Sequence, residues 1–150
     1  MRTHVLEREQ TLAIDPKRAF GFFADARNLE RITPPWLRFR VVTPGEIVMG
    51  AGTLIEYRLA LHRIPVSWLT RIETWEPPLR FVDRQIRGPY AFWEHSHSFE
   101  PVAEGTLIRD RIRYRIPFGI LGGLAQLLVV RRDLERIFDY RREQVSNLAA

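Results

Sequence analysis

The sequence contains no cysteine, which excludes disulfide bonds, thiolate metal sites and cysteine nucleophiles. It also has no apolar run long enough to cross a bilayer. The longest such run, residues 116–130, is interrupted by Pro117 and three glycines, and we interpret it as a buried loop and helix start. Residues 1–14 lack the apolar centre of a signal peptide. We therefore expect a soluble, cytoplasmic protein without membrane insertion.

Lysine is nearly absent as well: Lys17 is the only lysine among 23 basic residues, and the formal net charge is +5. Such an excess can serve nucleic acid or an anionic membrane surface. No dense basic run or nucleic-acid motif accompanies it, so a solvated, arginine-rich surface is the favoured interpretation. With 150 residues, 45% hydrophobic and 27% charged, the chain fits one globular domain spanning residues 1–150.

The pattern of apolar residues predicts an α+β fold. Thr3–Ile14 alternates like a strand, and Asp15 followed by Pro16 favours the start of a helix. A second helical turn is predicted at Asn28–Ile32, and a long final helix from Leu124 through Arg141. Further strands are predicted at Leu37–Thr43, Gly52–Leu61, Pro65–Trp75, Phe81–Arg87, Tyr90–Glu100 and Thr106–Ile116. The short breaks between these strands indicate an antiparallel sheet of seven strands.

The last two strands have a preferred register. Four alternate arginines, at 109, 111, 113 and 115, have to face water, so the residues between them face inward. A hairpin closing near Val102–Gly105 pairs positions whose numbers sum to 207, which sets His97 opposite Asp110 and Glu94 opposite Arg113. This register joins aromatic and apolar partners inside and opposite charges outside.

The same reasoning predicts an aromatic interior with several polar groups, a mixture typical of a small-molecule pocket. Phe138 from the apolar stripe of the final helix completes the set, and Arg131 and Arg141 lie on or near that stripe. The candidate ligand-binding residues on the strands are Tyr57, Trp68, Asp83, Gln85, Trp93, His95, His97, Asp110 and Tyr114. Trp75 indicates a local bulge in its strand.

Several of these residues also form a known pattern. Arg87-Gly88-Pro89-Tyr90 is followed by Trp93, His95, His97, Phe99 and Glu100, then by Gly105-Thr106, Asp110, Tyr114 and Pro117. This pattern resembles the SRPBCC, or START-like, superfamily, which includes polyketide cyclase/dehydrase-like proteins. The residues 29–35 (LERITPP) and 137–141 (IFDYR) agree with it. The resemblance implies a helix-grip fold: a curved seven-stranded antiparallel sheet around a long C-terminal helix, with two short helices after the first strand.

The leading hypothesis is binding of a small, largely hydrophobic or aromatic molecule in an internal cavity. An alternative is a cyclase- or dehydratase-type enzyme in which His97 and Asp110 form an acid–base pair. A second alternative is an interaction module that uses the arginine face of the sheet. His95, His97 and Asp110 could also supply metal ligands, but side chains two apart on a strand are nearly parallel. We therefore expect no metal and no other cofactor.

Overall fold

A seven-stranded antiparallel sheet forms one layer of the molecule, in a computed structural model that describes residues 2–149 and the side chains of residues 2–147. Its strands follow one another in the order β1-β7-β6-β5-β4-β3-β2. They are β1 (His4–Leu12), β2 (Arg40–Val41), β3 (Leu54–Leu61), β4 (Ile64–Glu76), β5 (Arg80–Arg87), β6 (Phe92–Val102) and β7 (Gly105–Arg115). Every neighbouring pair is antiparallel. The predicted α+β, helix-grip class is confirmed.

Two short helices follow β1, as the sequence predicts. Helix α1 (Pro16–Phe23) begins where the Asp15 side chain accepts a hydrogen bond from the Arg18 backbone N–H at 2.9 Å. This bond satisfies one of the N–H groups that lack a partner in the first turn of a helix. A 3₁₀ turn leads into α2 (Leu29–Ile32). Together they close one end of the sheet with the buried Phe20, Phe23 and Ile32.

The predicted strand Leu37–Thr43 is wrong in its extent. Arg40–Val41 pairs with β3 and forms the edge strand β2, and the Val42 N–H donates to the Glu56 carbonyl at 2.9 Å just beyond it. Pro35–Leu37 is a 3₁₀ turn, and Arg38 leaves it with a left-handed φ of 47°. The turn therefore takes up the first residues of the predicted strand, and extended backbone begins only after Arg38.

The register of the central hairpin agrees with the predicted one. His97 pairs with Asp110, His95 with Ile112, and Glu94 with Arg113. The predicted bulge is also present, because the β4–β5 register shifts between Ile72 and Thr74. The shift lets Trp75 pack against the core, where its ring lies 5.1 Å from that of Phe20.

A long helical segment covers the inner face of the sheet, opposite the face that carries the alternate arginines of β7. It comprises α3 (Gly119–Ala125), a π-helical turn (Gln126–Val130) and α4 (Arg131–Ala149). The expectation that residues 116–130 are buried is wrong: Ile120 is 89% exposed and Leu127 80% exposed. No helix among the described residues is long and apolar enough to cross a membrane.

Candidate functional site

A cavity of about 170 Å³ lies between the inner face of the sheet and α4. A single water needs about 10–15 Å³ of such space, so the cavity has room for a molecule considerably larger than water. Aromatic and aliphatic side chains dominate its walls. Trp68 and Trp93 meet edge to face at 5.2 Å between ring centroids, and Leu134 and Phe138 contribute from α4. Alternate residues of each strand reach this side because a strand has a two-residue repeat.

The wall opposite the sheet includes a segment for which the sequence analysis assigned no function. Leu29 and Thr33 border the cavity from the region of α2, and Phe39 follows the 3₁₀ turn. Leu37, Leu61 and Ile137 border both the cavity and an outer groove of about 500 Å³. These three side chains lie where the cavity and the outer groove adjoin.

The floor of the cavity is formed by members of a buried cluster of four titratable side chains and one arginine, of which Asp110 alone does not border the cavity. His97 Nε2 lies 2.7 Å from Asp83 Oδ2, and His95 Nε2 lies 2.8 Å from Asp110 Oδ1. His97 Nδ1 lies 3.3 Å from the same Asp110 oxygen. Arg141 Nη2 reaches Asp110 Oδ1 at 3.3 Å. We call these five residues the floor cluster; its histidine rings stack at 3.6 Å between centroids.

The two histidines of the floor cluster have opposite pKa shifts. Burial and the neighbouring His97 together lower the pKa of His95 to about 4, because they outweigh the opposing effects of Asp110 and Asp83. Burial also acts to lower the pKa of His97, but hydrogen bonds to Asp110 and Asp83 outweigh it and raise that pKa above its usual value. The two carboxylates therefore favour the protonated form of His97, whereas His95 is a neutral donor to Asp110 near neutral pH.

Both carboxyl groups of the floor cluster are ionised. Burial acts to raise the pKa of Asp110, but the Arg141 charge and the histidine hydrogen bonds hold it well below the usual range. The pKa of Asp83 is lowered for a similar reason, since the His97 hydrogen bond outweighs burial. The two carboxylates thus face Arg141 and the His97 ring, whose protonated form they favour. These partners make burial of the two carboxylates tolerable.

The side chains that could hold a metal ion differ from the set considered in the sequence, which was His95, His97 and Asp110. Donor atoms of Asp83, His95 and His97 all lie within 4.8 Å of one another. Asp83 and both histidines already form hydrogen bonds with one another or with Asp110. Arg141 also places its guanidinium 3.4 Å from His97 Nδ1. A neighbouring positive charge opposes a cation at this position, so the geometry favours an ion-pair network.

The predicted site residues fall into two groups. The cavity is bordered by Tyr57, Trp68, Asp83, Trp93, His95, His97 and Phe138. Gln85, Asp110 and Tyr114 are not among its lining residues. Gln85 instead exchanges two hydrogen bonds with the Tyr90 backbone, at 2.8 and 3.1 Å. The Tyr114 hydroxyl donates to Gln126 Oε1 at 3.0 Å, whereas Asp110 lies behind the histidines.

The closest partners within the floor cluster differ from the predicted pair. The sequence predicts a pair of His97 and Asp110, and that contact is present, but the shorter bond of His97 is to Asp83. The pairing follows from the sheet: Asp83 on β5 lies opposite His95, and a side chain can reach the diagonal neighbour. The sequence places Arg141 on or near the apolar stripe of the final helix but does not predict its contact with Asp110.

The outer face of the sheet carries the predicted arginines. Arg109 contacts Glu9 at 3.0 Å and Glu100 at 2.8 Å, and Arg113 contacts Glu94 at 3.1 Å. Arg111 lies 3.4 Å from a carboxylate oxygen of Glu7. These arginines therefore alternate with acidic partners across strands.

The opposite pKa shifts of the two histidines predict a stability maximum near pH 6.5. Stabilisation from His97, whose folded pKa is raised, is fully present below pH 6.5 and is lost as pH rises through its folded pKa. The His95 contribution is present above pH 6.5 and is lost as pH falls towards about 4. Urea denaturation across this range, with ¹⁵N NMR of the imidazole rings, measures both effects. Two rings titrating together near their ordinary pKa would contradict the assignment.

A long helix gripped by a curved antiparallel sheet, with a cavity between them, defines the START-like class of proteins. The family model for "polyketide cyclase / dehydrase and lipid transport" matches residues 12–138, and the chain belongs to this family. No curated protein matches the sequence.

Solved structures agree with this fold. The structure of protein CV1439 from Chromobacterium violaceum is similar with a TM-score of 0.75 and 12% identity, over 97% of this chain and 96% of that one. The protein TTHA0849 from Thermus thermophilus is 24% identical with a TM-score of 0.67, over 99% and 100% of the two chains. A START superfamily protein from Mycobacterium smegmatis has a TM-score of 0.68 and 13% identity, over 97% and 99%. At these identities the likeness establishes the fold alone.

Proposed function

We propose that this protein binds a small, largely hydrophobic molecule in the cavity between the sheet and α4. The observation that carries the proposal is the composition of the cavity: apolar and aromatic walls around a single polar floor. Such walls favour an apolar or aromatic body, and a few polar groups fix its orientation. Asp83 and His97 border the space, so a polar group of the ligand would lie against them.

Binding is better supported than acid–base catalysis. Both ring nitrogens of His97 lie within 3.3 Å of a carboxylate oxygen. A ring with both nitrogens engaged in this way presents neither a free N–H nor a free lone pair to a substrate. The arginine face is a weaker candidate for binding nucleic acid, because its side chains already contact glutamates.

Native mass spectrometry of the purified protein, compared with its mass after denaturation, tests the proposal. We expect an added mass in the native state that disappears on denaturation and belongs to a largely apolar small molecule. Where the purified protein is empty, addition of a fatty acid and of a polycyclic aromatic compound tests the same cavity. Failure to retain either compound would contradict the proposal.

A further inference from the structure

The segment between β7 and α4 exposes an apolar face that the fold does not use. Phe118, Ile120 and Leu127 are each at least 80% exposed. The exposed apolar residues of this face are Phe118, Ile120, Leu121, Leu124, Leu127, Leu128 and Val129, and we call them the apolar face. Single exposed apolar side chains are common on protein surfaces, whereas seven within twelve residues mark an interaction site.

The helix packs on the protein through a different stripe. Gly122 and Gln126 are buried, Val130 packs against a core cluster, and Leu134 and Phe138 are buried further along. These positions recur every four residues, which is the spacing of one helix face. The apolar face points away from that stripe. Its residues therefore contribute nothing to the core of the chain.

The outer side of α4 differs from this segment, so the exposure of apolar side chains is specific to the segment. Residues 119–130 contain no charged side chain, whereas the solvent-facing side of α4 is richly charged. The exposed or half-buried charged residues of α4 include Arg132, Asp133, Glu135, Arg136, Asp139, Arg142 and Glu143. One continuous helical segment thus changes from an apolar to a charged outer side near Arg131.

Arginines are the charged residues nearest to the apolar face at both of its ends in the sequence. Arg115 precedes the face, and Arg131 and Arg132 follow it and are exposed. Arg131 also lies 3.3 Å from Glu135 of the next helical turn. An amphipathic helix with apolar residues on one side and arginines at its edge is suited to the boundary between acyl chains and anionic headgroups. A second copy of the apolar face would supply no acidic residue from residues 116–132 to meet these arginines.

We propose that the apolar face docks on an anionic lipid surface, with α3 and the π-helical turn lying parallel to it. The large side chains enter the headgroup boundary, and Arg131 and Arg132 meet the headgroup phosphates. The segment lies on the surface and does not span it. This docking is independent of the proposed cavity ligand, because none of the residues of the apolar face borders the cavity.

Sedimentation of the protein with lipid vesicles tests the proposal. The probes are vesicles of phosphatidylcholine alone and of phosphatidylcholine with a third of phosphatidylglycerol. We expect binding to the anionic vesicles that is at least about ten-fold weaker with phosphatidylcholine alone. The double substitution Ile120→Asp with Leu127→Asp should lower binding by at least about ten-fold, because charged side chains do not enter the boundary.

The matched control is the double substitution Val48→Asp with Leu79→Asp, which changes charge by the same amount at exposed apolar positions elsewhere. It should bind anionic vesicles to within about two-fold of the unchanged protein. A second variant, Leu121→Ser with Leu128→Ser, tests the face without added charge and should also weaken binding. The proposal is overturned if anionic vesicles do not bind, or if the Asp variant binds them unchanged. It is also overturned if the protein sediments as a dimer that the Asp variant dissociates.

Discussion

Replacement of Asp110 by Asn should lower the free energy of unfolding at pH 7 by about 3–5 kcal/mol. Asp110 accepts hydrogen bonds from His95 and Arg141 and lies 3.3 Å from His97 Nδ1. Its side chain is only 12% exposed. The substitution removes one of two carboxylates and leaves Arg141 and His97 facing Asp83 alone. An uncompensated buried charge is costly because water cannot reach it.

Asp139→Asn is the matched control for Asp110→Asn, since both substitutions remove a carboxylate from an arginine. The Asp139 carboxylate contacts Arg8 Nη1 at 2.6 Å, but its side chain is 65% exposed. Exposed ion pairs contribute about 0–1 kcal/mol, so this variant should be nearly as stable as the unchanged protein. Urea denaturation measures both. Equal effects of the two substitutions would contradict the view that the floor cluster is an ion-pair network closed to solvent.

The substitution Leu59→Trp should weaken binding of a hydrophobic probe by at least about ten-fold. Leu59 borders the cavity from β3. A larger side chain there occupies the space that the proposal assigns to the ligand. Isothermal titration with 1-anilinonaphthalene-8-sulfonate measures the affinity, and circular dichroism confirms that the variant is folded.

Leu54→Trp provides the control on the same strand. Leu54 and Leu59 are an odd number of residues apart, so they lie on opposite faces of β3. Leu54 is half exposed and does not border the cavity. The same substitution there should leave probe affinity within about two-fold. Equal affinity in both variants would place the probe outside the cavity.

Much of the sheet could be predicted from the sequence because alternation constrains it strongly. The arginines at 109, 111, 113 and 115 fix one face of β7, and a slip of one residue would bury all four. Together with a hairpin that closes near Val102–Gly105, that constraint sets His97 opposite Asp110, as the structure has it. The helix start at Asp15 follows local preferences equally well.

The floor cluster was only partly predictable, because its partners come from different elements. Register places Asp110 beside His97, but the shorter bond of His97 to Asp83 crosses to the neighbouring strand. Arg141 reaches the cluster from α4, and the angle of a helix over a sheet is not encoded in local periodicity. Gln85 lies on the predicted strand, but its side chain donates a hydrogen bond to the nearby Tyr90 backbone carbonyl.

The apolar face was wrongly predicted to be buried for a related reason. An apolar run indicates removal from water without specifying what covers it. Residues 116–130 have two apolar sides, and the sheet has room for one of them. The stripe through Gly122, Gln126 and Val130 takes that place, so the other side remains exposed. Only the packing of the complete fold determines which of the two apolar sides is buried.

The four tryptophans allow the most direct measurement of where a ligand lies. Trp68 and Trp93 border the cavity, Trp75 packs in the core beside Phe20, and Trp36 is half exposed on the outer groove. Their indole N–H groups give four separate NMR signals during titration with a hydrophobic probe. Binding in the cavity should shift the signals of Trp68 and Trp93 and leave that of Trp75 in place. A shift confined to Trp36, or no shift at all, would contradict an internal ligand site.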